Sequence, residues 1–253
     1  MGYRKDLLAT RAQVKPGLWA VIPPDGLVNN VIPYITGCKV SIVASPKMGA
    51  GFVQYVVKAT KDGKTTNPFG TGAMEESFLY VVEGTVKVSI DGTSYDMTAG
   101  GYGFAPAGVG ISFENSGEEA TILLYKQRYI PLEGHEPYVV TGNVNDIPFS
   151  VYDEMENVFI KDLLPSDLGF DMNMHILSFD PGASHSIVET HVQEHGMYIL
   201  SGEGMYLLDE TWMGIKKDDF VWFGAYCPQC SYGVGREPFA YIYSKDCNRD
   251  VEI

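Results

Sequence analysis

The chain has 253 residues, 45% of them hydrophobic and 20% charged, and 32 acidic against 18 basic side chains leave a net charge of −14. That length allows one or two domains with a real core, and the acidic balance argues against nucleic acid or an anionic membrane as partner, since both demand basic surface. No apolar run approaches the roughly 18–20 residues of a membrane span, and residues 1–15 hold no apolar leader segment, so a globular cytoplasmic protein is expected.

From the N-terminus, Lys5 to Ala12 is expected as a short helix, and beyond it helical periodicity is scarce. Short alternating apolar runs recur between turn signals instead. Ser77-Phe-Leu-Tyr-Val-Val-Glu-Gly84 is followed by Val86, Val88 and Ile90 and by the Asp91-Gly92 hairpin signal. That pattern predicts an antiparallel all-β barrel or sandwich. Ile160 to Leu168 is the one mid-chain stretch expected as a helix, and Pro165 limits it to a turn or two. The apolar run Phe239 to Tyr243 predicts a terminal strand.

Four cysteines (Cys38, Cys227, Cys230 and Cys247) are too few for a disulfide framework in a chain of this length. Cys227 and Cys230 form a single CxxC, whereas structural zinc normally needs two such pairs or added histidines. They are expected as two small half-buried thiols.

The chain also repeats itself. Phe78-Leu-Tyr-Val-Val-Glu-Gly84 parallels Gly196-Met-Tyr-Ile-Leu-Ser-Gly202, with the two glycines 118 residues apart. Gly100-x5-Pro106-x-Gly108-x2-Ile111 aligns with Asp218-x5-Gly224-x-Tyr226-x2-Gln229 at the same offset of 118. Two similar β domains in tandem are therefore expected, joined between Glu133 and Asp153, with residues 1–140 as the first and 141–253 as the second.

The glycine and proline spacings resemble the two motifs of the cupin superfamily. The first half carries Gly100-x5-Pro106-x-Gly108-x2-Ile111-x3-Asn115, which matches the second cupin motif except for its histidine. The second half carries Gly182-x6-Glu189-x-His191-x3-His195-x6-Gly202, the ligand spacing of the first motif with Glu and His exchanged in order. Gln229 stands where the last histidine is usual. This permuted set, together with Phe170–Phe179 and the tail Tyr241–Ile253, is similar to the (S)-ureidoglycine aminohydrolases of purine (allantoin) degradation. The resemblance implies a bicupin: two tandem jelly-roll β-barrels with few short helices. The first barrel would be a degenerate copy without metal ligands. The second would hold one Mn²⁺ through Glu189, His191, His195 and Gln229.

The residues themselves agree. On a bent strand Glu189 and His191 share a face by the period of two, and His195 can return to the same pocket after the bend. The matching positions in the first half are Thr71, Ala73, Ser77 and Ile111, none of them an imidazole or a carboxylate. His191-Val-Gln-Glu-His195 also matches the H-x-x-E-H peptidase motif. That chemistry needs a helix, however, and the Pro181-Gly182 and Gly196–Gly202 flanks read as strands and turns. Two imidazoles and two oxygens suit a divalent ion of the Mn²⁺ or Fe²⁺ type.

Tyr241 and Lys245 have equal parity on the terminal strand, so both are placed facing inward, and Tyr206 replaces Val88 in the repeat. The resemblance implies all three as substrate contacts. Lys245 would hold the carboxylate, and Tyr206 or Tyr241 would position water or move a proton. Glu189 and Gln229 would join Tyr241 and Lys245 in holding the substrate. Glu194 is expected at the surface, with Tyr226 a weaker candidate for the cavity. His175 and His185 are expected to be structural, and Glu75 and Glu76 to be loop carboxylates.

The reaction implied is hydrolysis of (S)-ureidoglycine to (S)-ureidoglycolate and ammonia, on a small anionic ureido substrate. A homo-oligomer is expected by analogy, since cupins pair barrels through edge strands. Competing readings are another metal-dependent cupin enzyme, such as an Fe²⁺ dioxygenase or a sugar isomerase, and a non-catalytic small-ligand-binding bicupin.

Overall fold

The structure is a computed structural model that describes residues 11–246 and 248–251. The expected helix at Lys5 to Ala12 lies outside those residues except for Arg11 and Ala12, which carry no regular structure. In the first half the strands are β1 (Gln13–Lys15), β2 (Trp19–Ile22), β3 (Ile35–Ala44), β4 (Phe52–Thr65), β5 (Glu75–Glu83) and β6 (Thr85–Ile90). They continue with β7 (Thr93–Thr98), β8 (Gly101–Ala105), β9 (Ile111–Asn115) and β10 (Glu119–Arg128), and β11 (Val140–Asn143) begins the second half. The second half adds β12 (Ser150–Val151), β13 (Val158–Asp162), β14 (Asn173–Phe179), β15 (His195–Ser201) and β16 (Glu203–Leu208). It closes with β17 (Thr211–Lys216), β18 (Phe220–Phe223), β19 (Gln229–Gly233) and β20 (Phe239–Lys245). Among the described residues the only helical elements are 3₁₀ turns at Pro24–Gly26 and Val144–Asp146.

The repeat is visible in the backbone. β6, β7 and β9 have the same lengths as β16, β17 and β19, each pair displaced by 118 residues. Left-handed residues recur at the same offset: Gly84 with Gly202, Asp91 with Asp209, Gly100 with Asp218, and Gly108 with Tyr226. At the last two pairs glycine has been replaced while the turn it made was kept, at the cost of the Cβ crowding that a positive φ brings.

One sheet runs β11-β8-β5-β10-β4-β9-β6-β7, with β3 paired to β4. A second runs β1-β2-β18-β15-β20-β14-β13-β12, and β17-β16-β19 form a third. The pairing crosses the division expected between residues 140 and 141 in both directions. β2 pairs with β18 in the second half, and β11 pairs with β8 in the first.

Three apolar clusters follow from the two-residue period. On β5, Leu79 and Val81 point into the interior of the first barrel, whereas Phe78 and Tyr80 point into a core between the barrels. On β15, Met197 and Ile199 point into the second interior and Tyr198 into the shared core. Strands covered on both faces read as continuous apolar runs instead of alternating ones, which is the character of residues 78–82 and 197–200. The shared core includes Phe52, Phe104, Phe170, Phe220 and Trp222. Each fully buried side chain of that size contributes roughly 1.5–3 kcal/mol, so this seam is a main source of stability.

The helix expected at Ile160–Leu168 is absent. Residues 158–162 form β13, paired to β14, and residues 163–168 are irregular. Asn173 explains the break: its side chain accepts from Leu164 N–H and donates to Leu164 O, replacing helical partners for that residue.

Candidate metal centre

Glu189 and His191 lie in the loop between β14 and β15, and His195 opens β15. The loop is tied across the barrel mouth by a reciprocal bridge, Glu189 N–H to Gln229 O at 2.8 Å and Gln229 N–H to Glu189 O at 2.9 Å. Tyr226 N–H donates to His191 O at 2.7 Å, fixing the next turn of the same loop.

The two imidazoles are oriented alike. His191 Nδ1 lies 2.9 Å from Gln193 O, and His195 Nδ1 lies 2.9 Å from Ser244 O. A carbonyl only accepts, so each ring carries its hydrogen on Nδ1 and leaves the Nε2 lone pair for a ligand. The rings are 4.9 Å apart. Phe223 and Tyr243 each pack edge-on against His195 at 4.8 Å. Burial holds both imidazoles below the ordinary histidine range, His195 well below it, and the Lys245 charge adds to the effect. They are therefore neutral, as ligation requires.

The oxygen side of the site is a string of hydrogen bonds. Gln229 Nε2 donates to Glu189 Oε2 at 2.6 Å, and Tyr206 OH donates to Gln229 Oε1 at 2.7 Å. Tyr241 is hydrogen-bonded in turn to Tyr206. Tyr206, Tyr241 and Gln229 are all buried, and burial raises both phenols far above their usual range, so they stay protonated. Burial also raises the Glu189 carboxyl, opposed by the Gln229 hydrogen bond and the Lys245 charge.

Six of the seven residues expected at the site gather in one interior, and the seventh, Lys245, lies within electrostatic reach of it. Glu189, Gln229, Tyr206 and Tyr241 form the hydrogen-bonded string, and the two imidazoles stand together. Lys245, half-buried at the end of β20, acts electrostatically on Glu189, His191 and His195. Among the described residues no three His, Cys, Asp or Glu side chains close around a single point; the Glu189 carboxylate is engaged by Gln229. The donor chemistry still suits a divalent ion: two Nε2 lone pairs, one carboxylate and one neutral amide oxygen.

Two expectations are corrected. Glu194 is half-buried and anchored where a free surface group was expected: Gly51 N–H donates to its Oε1 at 2.6 Å and Trp222 Nε1–H to its Oε2 at 2.9 Å. Glu76 is not a loop carboxylate but a β5 residue with no exposed surface, its Oε1 accepting from Gln127 Nε2 at 2.8 Å. Glu76 on β5 and Glu194, one residue before β15, both turn toward the seam between barrels.

His175 and His185 are structural. His175 Nδ1 pairs with Asp162 Oδ1 at 2.6 Å, and His185 Nδ1 accepts from Ser231 N–H at 3.0 Å. Cys227 and Cys230 are free and buried, more enclosed than expected. Tyr226 is largely exposed. Two aromatic neighbours of the site were not anticipated. Tyr243 shares the parity of Tyr241 and Lys245, so the same alternation pointed to it. Tyr152 comes from the loop after β12, where no local pattern marks it; both phenols sense the Glu189 charge.

Two antiparallel barrels related by an internal repeat, one of them with a histidine, carboxylate and amide cluster in its interior, define a bicupin. A cupin-domain family profile matches residues 65–125, in the half without the cluster. An (S)-ureidoglycine aminohydrolase of Escherichia coli (strain K12) is 52% identical, covering 100% of this chain and 97% of that protein. A probable (S)-ureidoglycine aminohydrolase of Oryza sativa subsp. japonica is 29% identical, covering 92% of this chain and 74% of that one. Among solved structures, protein Ylba from E. coli superposes with a TM-score of 0.89 at 50% identity, over the whole of both chains. An oxalate decarboxylase from Lactobacillus farciminis superposes at 0.69 with 12% identity, covering 95% of this chain and 89% of that one, a likeness of fold alone. The chain belongs to the (S)-ureidoglycine aminohydrolase family.

Proposed function

We propose that this chain hydrolyses (S)-ureidoglycine to (S)-ureidoglycolate and ammonia, with one Mn²⁺ per chain held by Glu189, His191, His195 and Gln229. The observation that carries the metal reading is the matched pair of imidazoles, each with Nδ1 on a backbone carbonyl and Nε2 free, beside a carboxylate and an amide. The 52% identical relative supports the reaction.

When bound, the ion supplies a Lewis-acid centre with open positions for an amine and a neighbouring carboxylate. One carboxylate against a divalent cation leaves the centre near +1, which favours an anionic substrate although the chain as a whole carries −14. Lys245 holds the substrate carboxylate. Tyr206, protonated by burial and anchored on Gln229, and Tyr241 behind it hold or pass a proton at the departing amine or the entering water. Fixing the amine and the carboxylate at separate points orients the stereocentre for one hand.

On this reading residues 1–140 are a metal-free barrel and residues 141–253 carry the chemistry. The enzyme acts in cytoplasmic purine catabolism as a homo-oligomer. Among the described residues no helix is long and apolar enough to cross a membrane.

The test is ammonia release from freshly generated ureidoglycine, after chelation and again with added Mn²⁺, with the enantiomer of the product determined because the substrate also decays unaided. Mn²⁺-dependent release with (S)-ureidoglycolate as product is expected. Release no faster than spontaneous decay with Mn²⁺ restored would refute the assignment.

A further inference from the structure

His195 has two neighbours that face away from the metal centre, and both touch the first half of the chain. Gly196 is one. A Cβ there would lie 2.5 Å from the Phe52 ring and 2.6 Å from Gln54 Oε1, so β4 of the first barrel is seated directly against the backbone that presents the imidazole. Phe52 is in turn stacked on Tyr125 at 4.7 Å.

Glu194 is the other. Its two carboxylate oxygens take one donor from each half: Gly51 N–H of the turn before β4, and the indole N–H of Trp222 on β18. Trp222 has no exposed surface. Its ring lies against Gly49 and Gly224, where added Cβ atoms would stand 3.1 and 3.5 Å from ring carbons. A buried indole N–H needs an acceptor, and Glu194 is that acceptor.

The repeat supplies an internal control. The partners of Glu194 and Trp222 at the 118-residue offset are Glu76 and Phe104. The Phe104 ring has no donor, and the second carboxyl oxygen of Glu76 meets the Asp171 carboxyl instead of an N–H. The two-donor clamp is therefore complete only in the copy whose next residue is a histidine and not a serine.

We propose that Glu194 is a positioning residue through which the metal-free barrel sets the geometry of a centre it does not contain. The clamp holds the first residues of β15 against Gly51 and Trp222, and so fixes the direction in which His195 Nε2 points. This rests on the reading of His195 as a metal ligand.

The test is Mn²⁺ titration of the full chain, with Glu194→Gln and Trp222→Phe beside wild type. Bound Mn²⁺ is read by electron paramagnetic resonance, and thermal unfolding is measured in the metal-free form. Gln offers only one acceptor oxygen for two donors, and Phe keeps a ring while removing the N–H. Both variants are expected to weaken Mn²⁺ binding about 10-fold or more and to alter the spectrum of the bound ion. A merely structural role would lower the metal-free unfolding temperature while leaving affinity and spectrum unchanged, and that result overturns the proposal. If Glu194→Gln does not fold, Trp222→Phe alone decides by the same criterion. His195→Ala separates the two readings: Mn²⁺ binding with wild-type affinity in that variant would remove the metal centre itself.

Discussion

Glu189 and Gln229 meet twice across the mouth of the second barrel, once through a reciprocal pair of backbone hydrogen bonds and once through a 2.6 Å bond between their side chains. The backbone bridge fixes where both side chains start, so the carboxylate and the amide oxygen reach the same interior as the two imidazoles. Their counterparts in the first half, Thr71 and Ile111, do not make this bridge; Ile111 pairs with Phe69 instead.

Removing the Glu189 carboxylate should therefore cost metal affinity while leaving the fold in place, because the backbone bridge does not depend on it. Glu189→Ala is expected to weaken Mn²⁺ binding by at least about 100-fold, beyond the range typical of outer partners, with ammonia release falling in parallel. Calorimetric titration checks this. Retention of wild-type affinity would mean that Glu189 is not a ligand.

Lys245 carries the charge assigned to the substrate carboxylate. Hydrogen bonds to charged groups contribute about 1.5–3 kcal/mol, so Lys245→Ala should raise KM by roughly 10- to 150-fold. Mn²⁺ affinity should hold or rise slightly, because a nearby positive charge has been removed. Steady-state kinetics with unchanged KM and kcat would show that the lysine does not touch substrate.

Glu76 gives a pH signature remote from the centre. Burial, then the neighbouring Asp171 charge, pushes its carboxyl well up from the ordinary range, against the Gln127 hydrogen bond and the charge of Arg249. A folded-state value above the unfolded one means that stability is fully present below the unfolded value near 4.3 and is lost as pH rises through the folded value. Glu76→Gln keeps an acceptor for Gln127 and cannot ionise. Its unfolding temperature should match wild type at pH 4 and exceed it increasingly from pH 5 to pH 8. Parallel curves across that range would disprove the assignment.

Gly202 has φ +71°, and a Cβ there would lie 2.5 Å from Pro238 O. Gly84, its repeat partner, has φ +91° and would place a Cβ 2.5 Å from Glu119 O. Gly202→Ala and Gly84→Ala should each destabilise by about 1–3 kcal/mol, measured by denaturant unfolding. A neutral effect at either turn would show that the strand can move aside.

The amino-acid order alone determined what depends on near neighbours. Alternation marked the strands, and the 118-residue offset marked the duplication. The resemblance, with the spacing from Glu189 to His195, marked the cluster. Equal parity placed Tyr241 and Lys245, because a strand turns every second side chain to one face whatever surrounds it. Only the tertiary structure decided what covers the opposite face. Glu194 and Glu76 looked like surface or loop carboxylates because charge beside a strand end usually faces water, yet the opposite half of the chain packs against that side in each case. Residues 158–162 became a strand instead of a helix because β14 was there to pair with. Tyr152 reached the site, and β2 and β11 crossed between halves, through contacts dozens of residues apart, whose partners no local period encodes.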